Sequence, residues 1–283
     1  TQGMVCHETY KNQSNEWIEP SMVRKNNDGC FHIQTNEALA IGSPEKMSKS
    51  KKNVIDPDTI IKEYGADTAR WFVLSDSPPD RDIFWSESGV EAAGKFIKKI
   101  WNTILHLNDL SKKKETNINS ASQDLKAGNH KTLSKVSNDL DSLSFNKVIA
   151  SLYSYVGDIS KIKEEDCINS EILEETIYFL IIMLNPITPH MAEEAWRLTQ
   201  KTKTLLCDEA WPKYDKDLVK ESKVLIPVQI NGKKRSEIIV AVSLGASEIE
   251  GLVLQQQKVQ EIIKDTEIKK IIVVPGRIIN IVI

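Results

Sequence analysis

The spacing of apolar residues changes once along this chain, near residues 215–223, and that change divides what it can fold into. Upstream, Phe96, Ile97, Ile100, Trp101, Ile104 and Leu105 recur three or four apart, as do Val148, Ile149, Leu152 and Val156. That spacing lays one apolar stripe along a helix. Downstream, 224–230 and 236–242 alternate apolar and polar residues about the turn Asn231-Gly232, the pattern of a β-hairpin. Two patterns of core within 283 residues predict a multi-domain, mainly α protein.

Residues 1–41 read as a small β element, with strand-like runs at Glu16-Trp17-Ile18 and Cys30-Phe31-His32-Ile33-Gln34. Gly3-Met4-Val5-Cys6 reads as the tail of a strand whose sheet is missing, which would leave an open edge. A polar loop follows over 42–53. Asp56 as N-cap and Pro57 at the first turn start a helix that stops at Gly65, and a second starts at Asp67 and ends near Ser75. Residues 86–110 form a long amphipathic helix, and 115–129, rich in Asn and Ser, form a surface loop. Helices over 132–140, 145–159, 170–184 and 191–198 complete a bundle of four or five, centred on the nearly all-apolar 178–184. The hairpin, a helix over 247–264 and strands over 270–274 and 277–283 make a small α+β domain.

With 40% apolar and 27% charged residues the composition is that of a globular protein. No apolar run approaches the roughly 20 residues of a membrane-spanning helix, and no secretory leader is visible, so a cytoplasmic protein without membrane contact is expected. Cys6, Cys30, Cys167 and Cys207 lack paired spacing, and the five histidines are dispersed. Neither a disulfide framework nor zinc or any other metal site is expected. A net charge of -3 leaves RNA contact to local basic patches.

Lys46 to Lys52 places four lysines in seven positions. Mobile ammonium groups follow phosphoryl charge as it develops, and serine hydroxyls add neutral donors. By composition alone a solvated basic loop is the plainer reading. The string Lys46-Met47-Ser48-Lys49-Ser50, however, matches the second signature motif of the class I aminoacyl-tRNA synthetases. Asn53, Asp56-Pro57 and Tyr64-Gly65-Ala66-Asp67-Thr68-Ala69-Arg70 resemble the same class. The resemblance implies ATP with Mg2+ as substrate, Lys49 on a phosphate, Lys46 assisting, Met47 near the adenine, and Ser48 and Ser50 holding the loop closed.

Gly3-Met4-Val5, His7-Glu8-Thr9-Tyr10-Lys11 and 74–86 resemble the leucyl branch in particular. Residues 184–196 are similar to the helical domain shared by leucyl, isoleucyl, valyl and methionyl enzymes, and 228–280 to the C-terminal domain of bacterial-type leucyl enzymes. The implied division is the end of a catalytic domain with the signature loop (1–85), a helical-bundle domain of anticodon-binding type (86–215) and a small tRNA-binding domain (224–283). Ser236-Glu237 departs from the expected glycine and basic residue. Implied tRNA contacts are Arg70, Arg81, Lys95, Lys98 and Lys99, with Lys233, Lys234, Arg235, Lys269, Lys270 and Arg277 as a small basic patch in the tail. His190 is expected to cap or pack, and Trp85, Trp101, Trp196 and Trp211 to anchor cores.

The resemblance implies the C-terminal half of an enzyme that activates leucine and transfers it to tRNA-Leu. The rest of the active site would precede Thr1, so the isolated chain is expected to be inactive, a fragment or one subunit of a split enzyme that is monomeric when full length. Two alternatives stand beside this: a non-catalytic RNA-binding module, and the same half of an isoleucyl, valyl or methionyl enzyme.

Overall fold

The computed structural model describes residues 3–200, 204–220, 223–241, 244–264, 266, 268–274 and 277–283. Expectations for Thr1, for the end of the second hairpin strand and for Pro275-Gly276 lie outside these residues. The chain divides into two compact units, 1–215 and 216–283.

In the first unit, strand β1 (Val5–Lys11) pairs antiparallel with β5 (Ala40–Lys46) on one side. On the other it meets β2 (Trp17–Ile18) and, in parallel, β6 (Ile83–Phe84). β1 is therefore an interior strand, not the open edge expected; β5, mostly exposed, forms the edge. Gly3 must be glycine here, because a Cβ would stand 1.7 Å from the carbonyl oxygen of Arg81 as the segment before β6 threads back. Between them β3 (Val23–Asn26) and β4 (Gly29–His32) make a separate hairpin. The β5 span corrects the loop expected from Gly42. Its strand alternation is hidden by a bulge where Ser43 and Pro44 face Glu8, a position that tolerates a residue with no N–H to donate.

Helix α1 (Pro57–Tyr64) begins as its cap predicts, with Asp56 accepting from Asp58 N–H at 3.1 Å, while α2 (Ala66–Asp76) begins one residue before the expected Asp67, after Gly65 and without a side-chain cap. Five longer helices follow among the described residues: α3 (Glu87–Ser111), α4 (Ser120–Asp141), α5 (Phe145–Ile159), α6 (Ser170–Leu184) and α7 (Pro189–Gln200). Their apolar faces, with Trp71 and Phe72 of α2, form one core around Leu180, Ile181 and Leu184, all fully buried. Burial of such side chains stabilises by roughly 1.5–3 kcal/mol each.

The loop expected over 115–129 is helix from Ser120 onward. Asn119 caps it, its side chain accepting from Ser122 N–H at 2.8 Å. Its polar residues read as solvent-facing, yet Asn129 is fully buried, donating to Thr176 Oγ1 at 2.9 Å and accepting from the Tyr155 hydroxyl at 2.7 Å. A satisfied amide belongs in a core where an unpaired one would cost about 1–3 kcal/mol. Trp196 is buried and Trp85 and Trp101 are half-buried, but Trp211 is not a core anchor: it is 38% exposed and donates to Ser137 Oγ at 2.8 Å.

The second unit opens with the short α8 (Lys216–Val219). Its sheet runs β8-β7-β10-β9, from β7 (Lys223–Ile230), β8 (Lys233–Ala241), β9 (Lys270–Val274) and β10 (Ile278–Val282). Asn231 and Gly232 take positive φ (49° and 77°), as a tight hairpin turn requires. The single helix expected over 247–264 is two, α9 (Ala246–Leu254) and α10 (Gln257–Ile263). Gln256 sits in the break, its amide donating to Glu237 O at 2.9 Å and accepting from Ser236 Oγ at 2.8 Å. That tether to β8 is a tertiary bond that helical periodicity cannot announce. Ile249, Val253, Val259 and Ile263 pack on Ile226, Val228, Ile279 and Ile281.

Candidate functional site: a basic loop clasped at its base

The signature loop leaves β5 at Lys46 and returns through Asn53. Met47 N–H donates to Val5 O at 3.0 Å, continuing the ladder one residue beyond the strand. Ser48 then caps a short 3-10 turn, Lys49–Lys51, its hydroxyl lying 3.3 Å from Ser50 Oγ and accepting from Lys51 N–H at 3.4 Å. The structure thus brings Ser48 and Ser50 together. Lys52 turns the chain with a left-handed φ of 53°.

The lysines are not equivalent. Lys51 is bound by the Glu45 carboxylate. Among the described residues no acidic side chain holds Lys46, Lys49 or Lys52, and all three are exposed. Two ammonium groups of the motif, Lys46 and Lys49, are thereby left free to meet an anion. Met47 is half-buried beside them.

Asn53 escaped the candidate list drawn from sequence, although its motif context was visible. It is 1% exposed and lies under the loop. Its Oδ1 accepts from Ser48 N–H at 2.8 Å, while Nδ2 donates to His7 O at 3.2 Å, Glu45 O at 3.1 Å and Lys46 O at 3.4 Å. His7 beside it is buried, with burial pushing its imidazole below the usual histidine range. Glu8 accepts from the Tyr10 hydroxyl at 2.6 Å and pairs with Lys25, which fastens the β3–β4 hairpin to β1 and lowers the Glu8 carboxyl.

Of the residues expected to meet RNA, Lys95, Lys98 and Lys99 are exposed along α3 and line a shallow groove with Asn102, Thr103, His106 and Ser160. His106, absent from the expected set, joins them by helical spacing; its Nε2 lies 2.8 Å from Ile162 O. Lys95 is paired with Glu91 at 3.5 Å. Arg81 is exposed. Arg70 turns inward in part: Nε donates to Ile187 O at 2.8 Å and Nη2 to Pro186 O at 2.9 Å. In the second unit Lys233 and Lys270 lie at one end of the sheet and Arg277 at the other, since Lys270 is opposite Val282 while Arg277 precedes β10. Lys233, Lys234, Arg235, Lys269, Lys270 and Arg277 are exposed, with Lys234 paired to Glu237.

Comparison with known proteins shows what these segments are similar to. Residues 33–86 match the family described as tRNA synthetases class I (I, L, M and V), and 123–250 the anticodon-binding domain of tRNA ligase. The leucine--tRNA ligase of Sinorhizobium medicae is 43% identical over 299 residues, covering 100% of this chain and 34% of that protein. The chain is homologous to one third of a leucine--tRNA ligase. The leucine--tRNA ligase of Agrobacterium fabrum is 42% identical with the same coverage, and that of Bartonella bacilliformis 41% with 33% of its length covered. The chain therefore spans about a third of the length of the curated leucine--tRNA ligases it matches. In fold it is similar to the LeuRS of Agrobacterium radiobacter K84, solved as a ternary complex with tRNA and LeuAMS. The TM-score is 0.69 at 28% identity, over 84% of this chain and 31% of that one.

Proposed function

We propose that this chain is the C-terminal third of a cytoplasmic leucine--tRNA ligase, supplying the loop that handles the triphosphate of ATP together with tRNA-binding surfaces. The observation that carries the reading is the state of the signature loop: Lys46 and Lys49 exposed and unpaired, on a base tied down by Asn53. A leucine carboxylate oxygen attacks the α-phosphate in line and pyrophosphate departs, leaving leucyl-adenylate; a terminal ribose hydroxyl of tRNA-Leu then attacks its carbonyl, takes the acyl group and releases AMP. Lys49, with Lys46 assisting, stabilises charge growing on the departing pyrophosphate, an electrostatic contribution typically worth roughly 2–4 kcal/mol. The loop offers ammonium and hydroxyl groups, which suit phosphate oxygens. Mg2+ would enter bound to the phosphates of ATP.

Division of labour follows the implied domains: 1–85 with the catalytic loop, 86–215 and 224–283 with tRNA. Arg81, Lys98 and Lys99, and in the tail Lys233, Arg235, Lys270 and Arg277, are proposed phosphate contacts. Arg70, spent in part on protein carbonyls, acts chiefly by fixing α2. The matching relatives are leucine enzymes, so the isoleucyl, valyl, methionyl and non-catalytic readings are not favoured. The test is leucine-dependent ATP–pyrophosphate exchange by this chain assembled with the rest of the ligase. Lys49→Ala is expected to lower it about 100- to 1000-fold; unchanged exchange sinks the assignment.

A further inference from the structure

We propose that Asn53 is a positioning residue for adenylate formation, acting through Lys46 and Lys49 without touching substrate. The inference rests on the reading of the loop given above. Asn53 reaches all the parts that set the loop's course: β1 through His7 O, the end of β5 through Glu45 O and Lys46 O, and the loop interior through Ser48 N–H. Ser48 in turn caps the 3-10 turn whose first residue is Lys49. A shift of Ser48 therefore moves Lys49 directly, and a shift of Lys46 O moves the other free lysine. Beyond this clasp the two side chains make no ion pair among the described residues, so backbone placement alone aims them.

Only an amide suits this position. It must accept at one end and donate at the other, and a serine hydroxyl is too short to span both while lysine or arginine has nothing to accept with. Aspartate has the same shape and retains an acceptor for Ser48 N–H, but turns a carboxylate oxygen toward three carbonyl oxygens. With Asn53 1% exposed, water cannot readily replace the lost bonds. Misplacement by a fraction of an ångström to an ångström is enough to cost a catalytic group most of its effect.

The experiment is pyrophosphate exchange by the assembled ligase carrying Lys49→Ala, Asn53→Ala, Asn53→Asp or Lys49→Ala with Asn53→Ala. Asn53→Ala is expected to lower kcat about 10- to 100-fold with KM for leucine within about twofold, and Asn53→Asp to do the same with packing volume kept. In the Lys49→Ala background Asn53→Ala should cost less than about threefold more, because the chief group it aims is gone and only the assisting Lys46 is left to misplace. Losses that multiply, or full activity in Asn53→Asp, overturn the inference while leaving the loop's role intact. An unaffected Lys49→Ala removes the loop reading and the inference together. As a readout independent of activity, trypsin should cut the Asn53→Ala chain within 46–52 faster than the parent at equal thermal stability; equal cutting counts against the clasp.

Discussion

The carboxylate of Asp67 on α2 caps the helix that begins 122 residues later, accepting from Met191 N–H at 2.7 Å, with His190 Nδ1 2.9 Å from its other oxygen. Pro189 opens that helix without a side-chain cap of its own, so a distant aspartate supplies one where the backbone donors and the helix dipole favour negative charge. Arg70, one turn further along α2, donates to the carbonyls of Ile187 and Pro186 just upstream. Together they fasten α2, which follows the signature loop, to the corner between α6 and α7.

Asp67→Ala should therefore destabilise the first unit by about 2–3 kcal/mol, since a buried charged acceptor is lost and its N–H partners remain. The measurement is a thermal melt, with Tm lowered by roughly 5–10 °C for a unit of this size. Asp67→Asn, which retains one acceptor, should lose about half as much. A Tm unchanged in both variants would show that the cap contributes nothing.

Lys49 and Lys51 differ in kind although two residues apart. Glu45 already neutralises Lys51, and a half-exposed pair of this type is worth no more than about 1 kcal/mol. Lys51→Ala should leave pyrophosphate exchange within roughly tenfold of the parent, against about 100- to 1000-fold for Lys49→Ala. Equal losses would mean that net loop charge matters and individual placement does not.

Acid should weaken the first unit through His7. Burial lowers its folded pKa below the ordinary value of about 6.5, so as pH falls through 6.5 the unfolded chain takes up a proton that the folded chain refuses. Stability is complete above that pH, declines below it, and stops declining on this account beneath the folded pKa. Glu8, whose folded pKa is lowered by Lys25 and Tyr10, adds a separate loss only in the carboxylate range. Between pH 7 and 5 the parent should lose more Tm than His7→Asn; parallel curves would contradict this.

Exposed lysines on α3 should report as phosphate contacts. Lys98→Ala and Lys99→Ala are each expected to weaken binding of a leucine tRNA and to reduce the slope of log affinity against log salt by about 0.7–0.9. Arg70→Ala should instead lower Tm with a nearly unchanged salt slope, because its Nε and Nη2 bond the protein. Salt slopes identical to the parent in both lysine variants would remove α3 from the RNA face.

The sequence by itself determined several of the local elements. The shift from helical to alternating spacing, the Asp56-Pro57 start, the Asn231-Gly232 turn and the five-residue signature each depend on neighbours within a turn or a strand, and each was legible. Tertiary structure decided what those signals omit: that Glu45 takes Lys51 and leaves Lys49, that Asn53 and Asn129 are buried with every bond made elsewhere, and that Arg70 spends donors 116 and 117 residues away. Whether a polar side chain is solvated, clasped or free is set by partners brought near only by the fold. A polar residue's spacing records none of them, which is why the helix from Ser120 and the role of Asn53 were not read from sequence.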